Sequence, residues 1–261
     1  AGSTSIFYSR RIGRSPRGSI ADNSEYEDYP SQTKIISALK FSGKTNSGLS
    51  VGILDAITAK ENAKYRDSTN TETLQAVEPF ANSLVLRLKQ DLKDGKIIFG
   101  GFLTNKQQVL NTNYLRSSFV SKANVMGVDF EYALPDPAWV VSGYTATSTL
   151  LGTEKIVSEI QRNSAHYFQR PDDKIALDTT KTQLDGTSSE LSLTKISGKN
   201  FKGSFTYRQI SPGYDINELG YIRSANTKQL KSYIEYEDFV PKKYWQLSLI
   251  HISEPTRLAT I

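Results

Sequence analysis

Two carboxylates, Asp129 and Glu131, sit two residues apart in an alternating stretch, so an extended backbone puts both on one face. Hydrolysis of a glycosidic bond uses two carboxyl groups about 5–10 Å apart, one to give a proton and one to attack or to activate water. The spacing permits that chemistry. The polar wall of a water-filled β-structure carries such pairs as well, so the pair is a candidate and not a signature. His166 is the second candidate, in His166-Tyr167-Phe168-Gln169-Arg170-Pro171-Asp172 with Asp173 next. One histidine and nearby acids fall short of a zinc ligand set, and a hydrogen-bonded loop histidine is the simpler account. Arg170 joins it as a candidate lining or loop residue. Arg10, Arg11 and Arg14 are three arginines within five residues. Their forked donors suit an anion such as phosphate, while a solvated loop or an electrostatic plug inside a pore explains them without a ligand. The stretch Ser211 to Tyr221 carries Asp215, Asn217 and Glu218, which could order a loop or line a pore; Pro212-Gly213 argues first for turn geometry. The chain has no nucleophile elbow and no glycine-rich phosphate loop, so no catalytic residue and no cofactor is assigned. Cysteine is absent, which removes disulfides, thiolate nucleophiles and cysteine-ligated zinc.

The elements that must position these residues read as hairpins. Ile35, Leu39 and Phe41 share a face with Ser37, and Lys40 and Ser42 take the other. After the turn 43–48, Leu49, Val51, Ile53 and Ile57 alternate with Ser50, Gly52, Ala56 and Thr58. One face is bulky and apolar, the other small and polar, as in the wall of a closed barrel. Residues 61–82 read as a polar segment. Leu84, Leu86, Leu88 and Leu92 alternate with Val85, Arg87, Lys89 and Asp91; Asp94-Gly95 then supplies a positive-φ turn into a return arm from Ile97 to Thr104. Residues 105–122 read as another polar loop. Met126, Val128, Phe130 and Tyr132 oppose Gly127, Asp129 and Glu131, and Trp139 begins the return arm, so that Tyr132 and Trp139 suit an interfacial aromatic girdle. A short helix is expected within 153–165. A fourth hairpin pairs about 188–197 with 201–209, and a further strand carries Leu230, Ile234 and Tyr236.

Composition fits this pattern. Apolar residues make up 38%, yet the chain has 14 Tyr and 11 Phe and a mean hydropathy of −0.43. A transmembrane β-barrel needs apolar residues only at alternate positions, which reconciles the two. The net charge of +5 is spread among acidic residues without a long basic block, so no nucleic-acid partner is expected. No run reaches the length of a membrane helix. The chain begins at Ala1 with neither initiator Met nor signal peptide, and we expect an internal fragment. Residues Leu247 to Arg257 resemble the translation of a transposase sequencing adapter, so 247–261 are set aside as foreign and His251 is no candidate.

Four blocks then carry a resemblance. Phe7 to Arg14, Ser50-Val51-Gly52-Ile53-Leu54, His166 to Asp172 and Ser211 to Gly220 resemble the DUF5916 domain, found mostly in Bacteroidetes. The similarity runs over about residues 5–246. It implies a C-terminal region resembling an outer-membrane barrel, preceded in full-length members by a signal peptide and a family-9-like carbohydrate-binding β-sandwich. It supplies no catalytic motif that transfers residue by residue. The expected organisation is a polar segment 1–33 leading into an incomplete, all-β, antiparallel up-and-down transmembrane barrel at 34–246, in the cell outer membrane. Its partners would be outer-membrane lipid and, through the missing domain, carbohydrate. Its role would be carbohydrate-related binding, passage or anchoring at the cell surface. The alternatives are a membrane-associated hydrolase acting on glycans and a soluble β-sandwich binding module.

Overall fold

The computed structural model describes residues 5–20, 26–66, 71–135, 138–170, 175–197 and 200–237. The turn residues Asp136-Pro137 and Gly198-Lys199, the acids Asp172 and Asp173, the strand start at Tyr244 and the set-aside segment 247–261 lie outside those residues. After a single 3₁₀ turn at Ser9–Arg11 come β1 (Tyr26–Asp28), β2 (Ile35–Lys44), β3 (Leu49–Thr58), β4 (Glu61–Arg66), β5 (Glu72–Glu78), β6 (Phe80–Leu92) and β7 (Ile97–Val109). Then follow α1 (Asn113–Ser118), β8 (Lys122–Ala133), β9 (Trp139–Leu151), α2 (Glu154–Arg162), β10 (Gln183–Lys195), β11 (Phe201–Ile210) and β12 (Thr227–Tyr236). The expected hairpins are all present, and α2 falls inside the expected 153–165. Two readings need correction. Residues 61–82 are not an irregular segment but β4, β5 and the start of β6, and 105–122 hold the end of β7 and α1.

The main sheet has nine strands in the order β12-β11-β10-β9-β8-β7-β6-β3-β2, each antiparallel to its neighbours. The β4–β5 hairpin leaves it and pairs with β1 in a separate sheet of three strands. Among the described residues β12 and β2 are free edges, so the sheet is open and no barrel closes.

Register carries the alternation across every strand. Phe41 lies beside Ile53, Ile53 beside Leu86, Leu86 beside Leu103, and Leu103 beside Met126. Tyr132, Val141, Leu193 and Phe205 continue the same face. These side chains meet no cover: Phe41 is 56% exposed, Met126 55%, Val128 58% and Phe205 52%. Call this the outer face. A polar row bounds its apolar band. Asp55, Asn105, Asn124, Thr149 and Asp185 share that face through the register, with Asn82 beside Asp55. They bond one another: Asn82 Nδ2 donates to Asp55 at 2.8 Å, Asn105 donates to Asn124, and Thr149 donates to Asp185 at 2.7 Å. At the far end Tyr132 and Trp139 stand on the outer face, with the Lys195 ammonium 5.7 Å from the Trp139 ring and the Phe201 and Tyr236 rings 5.0 Å apart. The band from Met126 to Tyr132 or from Leu84 to Leu92 is six to eight residue steps, roughly 20–27 Å along a strand.

The inner face differs along its length. Near the ends joined by tight turns it is small or charged, with Gly52 beside Arg87, Asp129 beside Tyr144, and Glu190 beside Arg208. Near the ends joined by long loops it is covered. Val125, Ala146 and Ile210 pack there with Tyr214, Ile216, Ile222 and Ala225 of the loop after β11. Ala123, Leu150 and Leu184 pack with Val157 of α2 and Phe168. The loop lies directly on the sheet at Gly186, where an added Cβ would stand 2.0 Å from the Tyr214 nitrogen. Only a residue without a side chain allows that approach. Gly186→Ala should therefore destabilise the protein by about 3 kcal/mol or unseat the loop. Gly101→Ala on the outer face, where the nearest contact is 3.8 Å, should stay within about 0.5 kcal/mol. Chemical unfolding of both variants checks the contrast.

Candidate functional site

The polar residues of the inner face gather in three places. The first is the wall. Asp129 accepts both guanidinium nitrogens of Arg87, one of them at 2.8 Å, directly above Gly100. Glu131 shares the face but is exposed, beside Ser142 and Ile98 on the adjoining strands. Asp129 is thus paired with a cation, while Glu131 on the same face is open to solvent. Further along, the Arg208 guanidinium lies 3.3 Å from Glu190 and donates to the Tyr144 hydroxyl at 3.2 Å; that hydroxyl is also 3.0 Å from Ser188. A hollow of about 400 Å³ opens between Arg87, Asp129 and Tyr144 and the side chains of Ile6 and Phe7, which cross the inner face.

The second place joins two expected candidates that stand 49 residues apart. His166 Nε2 is 2.8 Å from Asp215 Oδ2, and its Nδ1 is 2.7 Å from the Pro212 carbonyl. Both neighbours accept hydrogen bonds and neither donates, so only the doubly protonated imidazolium satisfies both contacts. Burial works against that charge, but the hydrogen bond and charge of Asp215, with the Pro212 carbonyl, outweigh it and raise the pKa. Asp215 is fixed in turn: its N–H donates to Ser148 Oγ at 2.9 Å and its Oδ1 accepts the Asn217 N–H at 2.6 Å. Asn217 Oδ1 accepts the Ile222 N–H at 3.0 Å and closes the loop. A serine, a histidine and an aspartate lie together here, yet they make no catalytic triad. Ser148 bonds the backbone of Asp215, and both imidazole nitrogens are occupied, so nothing takes the serine proton. Tyr214, fully buried beneath, has its pKa raised by burial.

The third place centres on Glu218. Its Oε1 accepts Arg17 Nη1 at 2.6 Å, and its Oε2 accepts Lys106 Nζ at 2.9 Å. Arg14 Nη2 approaches to 3.8 Å. Arg17 also holds Glu78 at 3.1 Å and the Gln108 side-chain oxygen at 2.9 Å, and stacks over Phe119. Burial opposes the charge on Glu218, but Arg17, Lys106 and Arg14 outweigh it and hold the carboxyl well below the usual carboxylate range. The sequence reading flagged Glu218 and missed Arg17, Lys106 and Glu78. Arg11, Arg14 and Arg17 recur every third residue, and that spacing was the available signal. Arg170 joins none of these clusters; its guanidinium sits 5.8 Å from the Tyr167 ring. Among the described residues no three His, Cys, Asp or Glu residues gather as metal ligands.

The family described as "Domain of unknown function (DUF5916)" matches residues 2–257. No curated protein and no solved structure matches the chain.

Glu218→Ala should destabilise the fold by about 3–5 kcal/mol, because it strands buried cations, while Asp129→Asn at the half-exposed wall should cost about 1 kcal/mol or less. Denaturant titration separates them. The pH dependence follows from the signs. A raised histidine pKa gives stability that is full below the ordinary imidazole value of about 6.5 and is lost as pH rises through the higher folded value. The depressed Glu218 pKa gives stability that is full above about pH 4.3 and is lost only as pH falls toward the folded value. Unfolding midpoints should fall on the alkaline side in the wild type, and His166→Gln should flatten that fall.

Proposed function

The chain belongs to the DUF5916 family, and we propose that it is part of the wall of an outer-membrane β-barrel with a polar lumen. One observation carries this reading: the outer face presents a continuous apolar band across the main sheet, from Phe41 to Ile234, with no second layer against it among the described residues. Soluble monomers rarely expose apolar patches beyond a few hundred Å². The band's length along the strands is close to the lipid-facing height of about 25 Å before tilt shortens it. The polar row at Asn105 and Asn124 marks one interface, and Tyr132, Trp139 and Tyr236 mark the other. In hydrocarbon no strand edge stays unpaired, so closure on this reading takes strands beyond the nine of the sheet. The role is carbohydrate-related binding, passage or anchoring at the cell surface, drawn from the family resemblance. The inner wall carries the charged and polar groups Arg87, Asp129, Glu190 and Arg208 that a polar lumen calls for, and Ile6 and Phe7 lie against it.

Neither alternative gains a specific observation. A β-sandwich needs a second sheet over the apolar face, and that face is open. A glycan hydrolase acting through the acid pair needs a free Asp129, and Asp129 is held by Arg87.

The face assignment has a direct test. Phe205 and Ser204 are adjacent and point to opposite faces. Phe205→Lys should cost about 2–4 kcal/mol in the bilayer and abolish heat-modifiable migration of the full-length, membrane-extracted protein that carries the closing strands, whereas Ser204→Lys should assemble. Equal assembly of both, or recovery of the wild type in the soluble fraction, would falsify the reading.

A further inference from the structure

The Glu218 cluster is short of negative charge. Three cations, Arg14, Arg17 and Lys106, face two carboxylates, Glu78 and Glu218. The carboxylates are already taken. Glu78 holds Arg17 through both oxygens, and Glu218 gives one oxygen to Arg17 and the other to Lys106. Arg14 is left over. Its 3.8 Å approach to Glu218 is too long for a hydrogen bond. Among the described residues its Nε and Nη2 are buried with no acceptor.

Those two atoms are the side-on edge of the guanidinium, whose parallel N–H bonds match the two oxygens of a carboxylate or phosphate. The contrast with Arg17 is informative: every nitrogen of its guanidinium has an acceptor. The Arg14 side chain as a whole keeps 18% exposure, so the fork lies just below the surface. Arg11 adds a further positive charge nearby; its Nε donates to the Gly220 carbonyl at 3.1 Å and its guanidinium lies over Tyr221. Burial, and then repulsion from Arg17, pull the Arg14 pKa down to about 10, as expected of a cation lacking a close counter-charge.

We propose that the unpaired edge of Arg14 is an anion-binding site, taking one carboxylate or phosphate group of a small ligand in a bidentate grip. The site lies where the N-terminal segment meets the loop after β11. It is independent of whether the outer face meets lipid.

The test is a thermal-unfolding titration of the full chain in non-ionic detergent, with inorganic phosphate in one arm and glucuronate in the other. Sodium chloride keeps ionic strength constant. At least one anion should raise the midpoint saturably, and the arm that does so identifies the group the site takes. Arg14→Gln should weaken that response by about tenfold or more, and Arg14→Lys, which keeps the charge but loses the fork, should weaken it as well. Arg11→Gln is the milder second variant and should weaken the response less, should Arg14→Gln fail to fold. No shift beyond the chloride control in the wild type would overturn the proposal. So would an undiminished response in the folded Arg14 variants.

Discussion

One buried carboxylate holds together the parts of this protein that the sheet alone does not. Glu218 belongs to the loop after β11, Arg14 and Arg17 to the N-terminal segment, Lys106 to β7, and Glu78, reached through Arg17, to the inserted hairpin. Three separate stretches of chain meet at two oxygens, and Arg17 links in a fourth. Removing the centre leaves the buried Lys106 ammonium without its carboxylate and takes one of the two carboxylates from Arg17. Everything laid on the inner face, from Ile6 to Tyr214, depends on these stretches staying in place.

The two faces of the sheet follow opposite rules. On the inner face most polar groups pair within the chain, and the covered portion is dry enough to bury Tyr214 completely, its hydroxyl without a partner among the described residues. On the outer face the apolar side chains have no covering layer among the described residues. The polar row from Asp55 to Asp185 is the place where that face returns to ordinary water-facing chemistry. The same nine strands cross both zones, so the change of environment is written along each strand, not between strands.

Most of the sheet was legible because its signal is local. A period of two in 35–58, 84–104, 125–148 and 188–209 reports strand and face at once, and register then follows from short turns such as Lys93-Asp94-Gly95, all at positive φ. The strands β1, β4 and β5 were hidden because they are short and carry charged residues such as Glu61, Lys64 and Glu72; the alternation of Ala63 and Tyr65 with polar neighbours was too brief to stand out. The site was legible only as fragments. His166 and Asp215 were both marked, but nothing local says that they touch. Arg17 and Glu218 are 201 residues apart, and their meeting is a property of the fold.

That separation bears on how the molecule assembles. Each strand of the sheet pairs with the next sheet strand in sequence order, β3 with β6 across the inserted hairpin, so the sheet grows by closing loops far shorter than the chain, which is entropically cheap. The N-terminal segment closes loops of two very different lengths. Arg17 meets Glu78, 61 positions away, whereas Tyr8, Arg11 and Arg17 also meet Leu219, Gly220 and Glu218, with Arg11 and Gly220 separated by 209 positions. The contacts with Gly220 and Glu218 close loops of more than two hundred residues, the entropically costly step of the fold. They tie the N-terminal arginines to the loop after β11 and so lock the layer laid on the inner face.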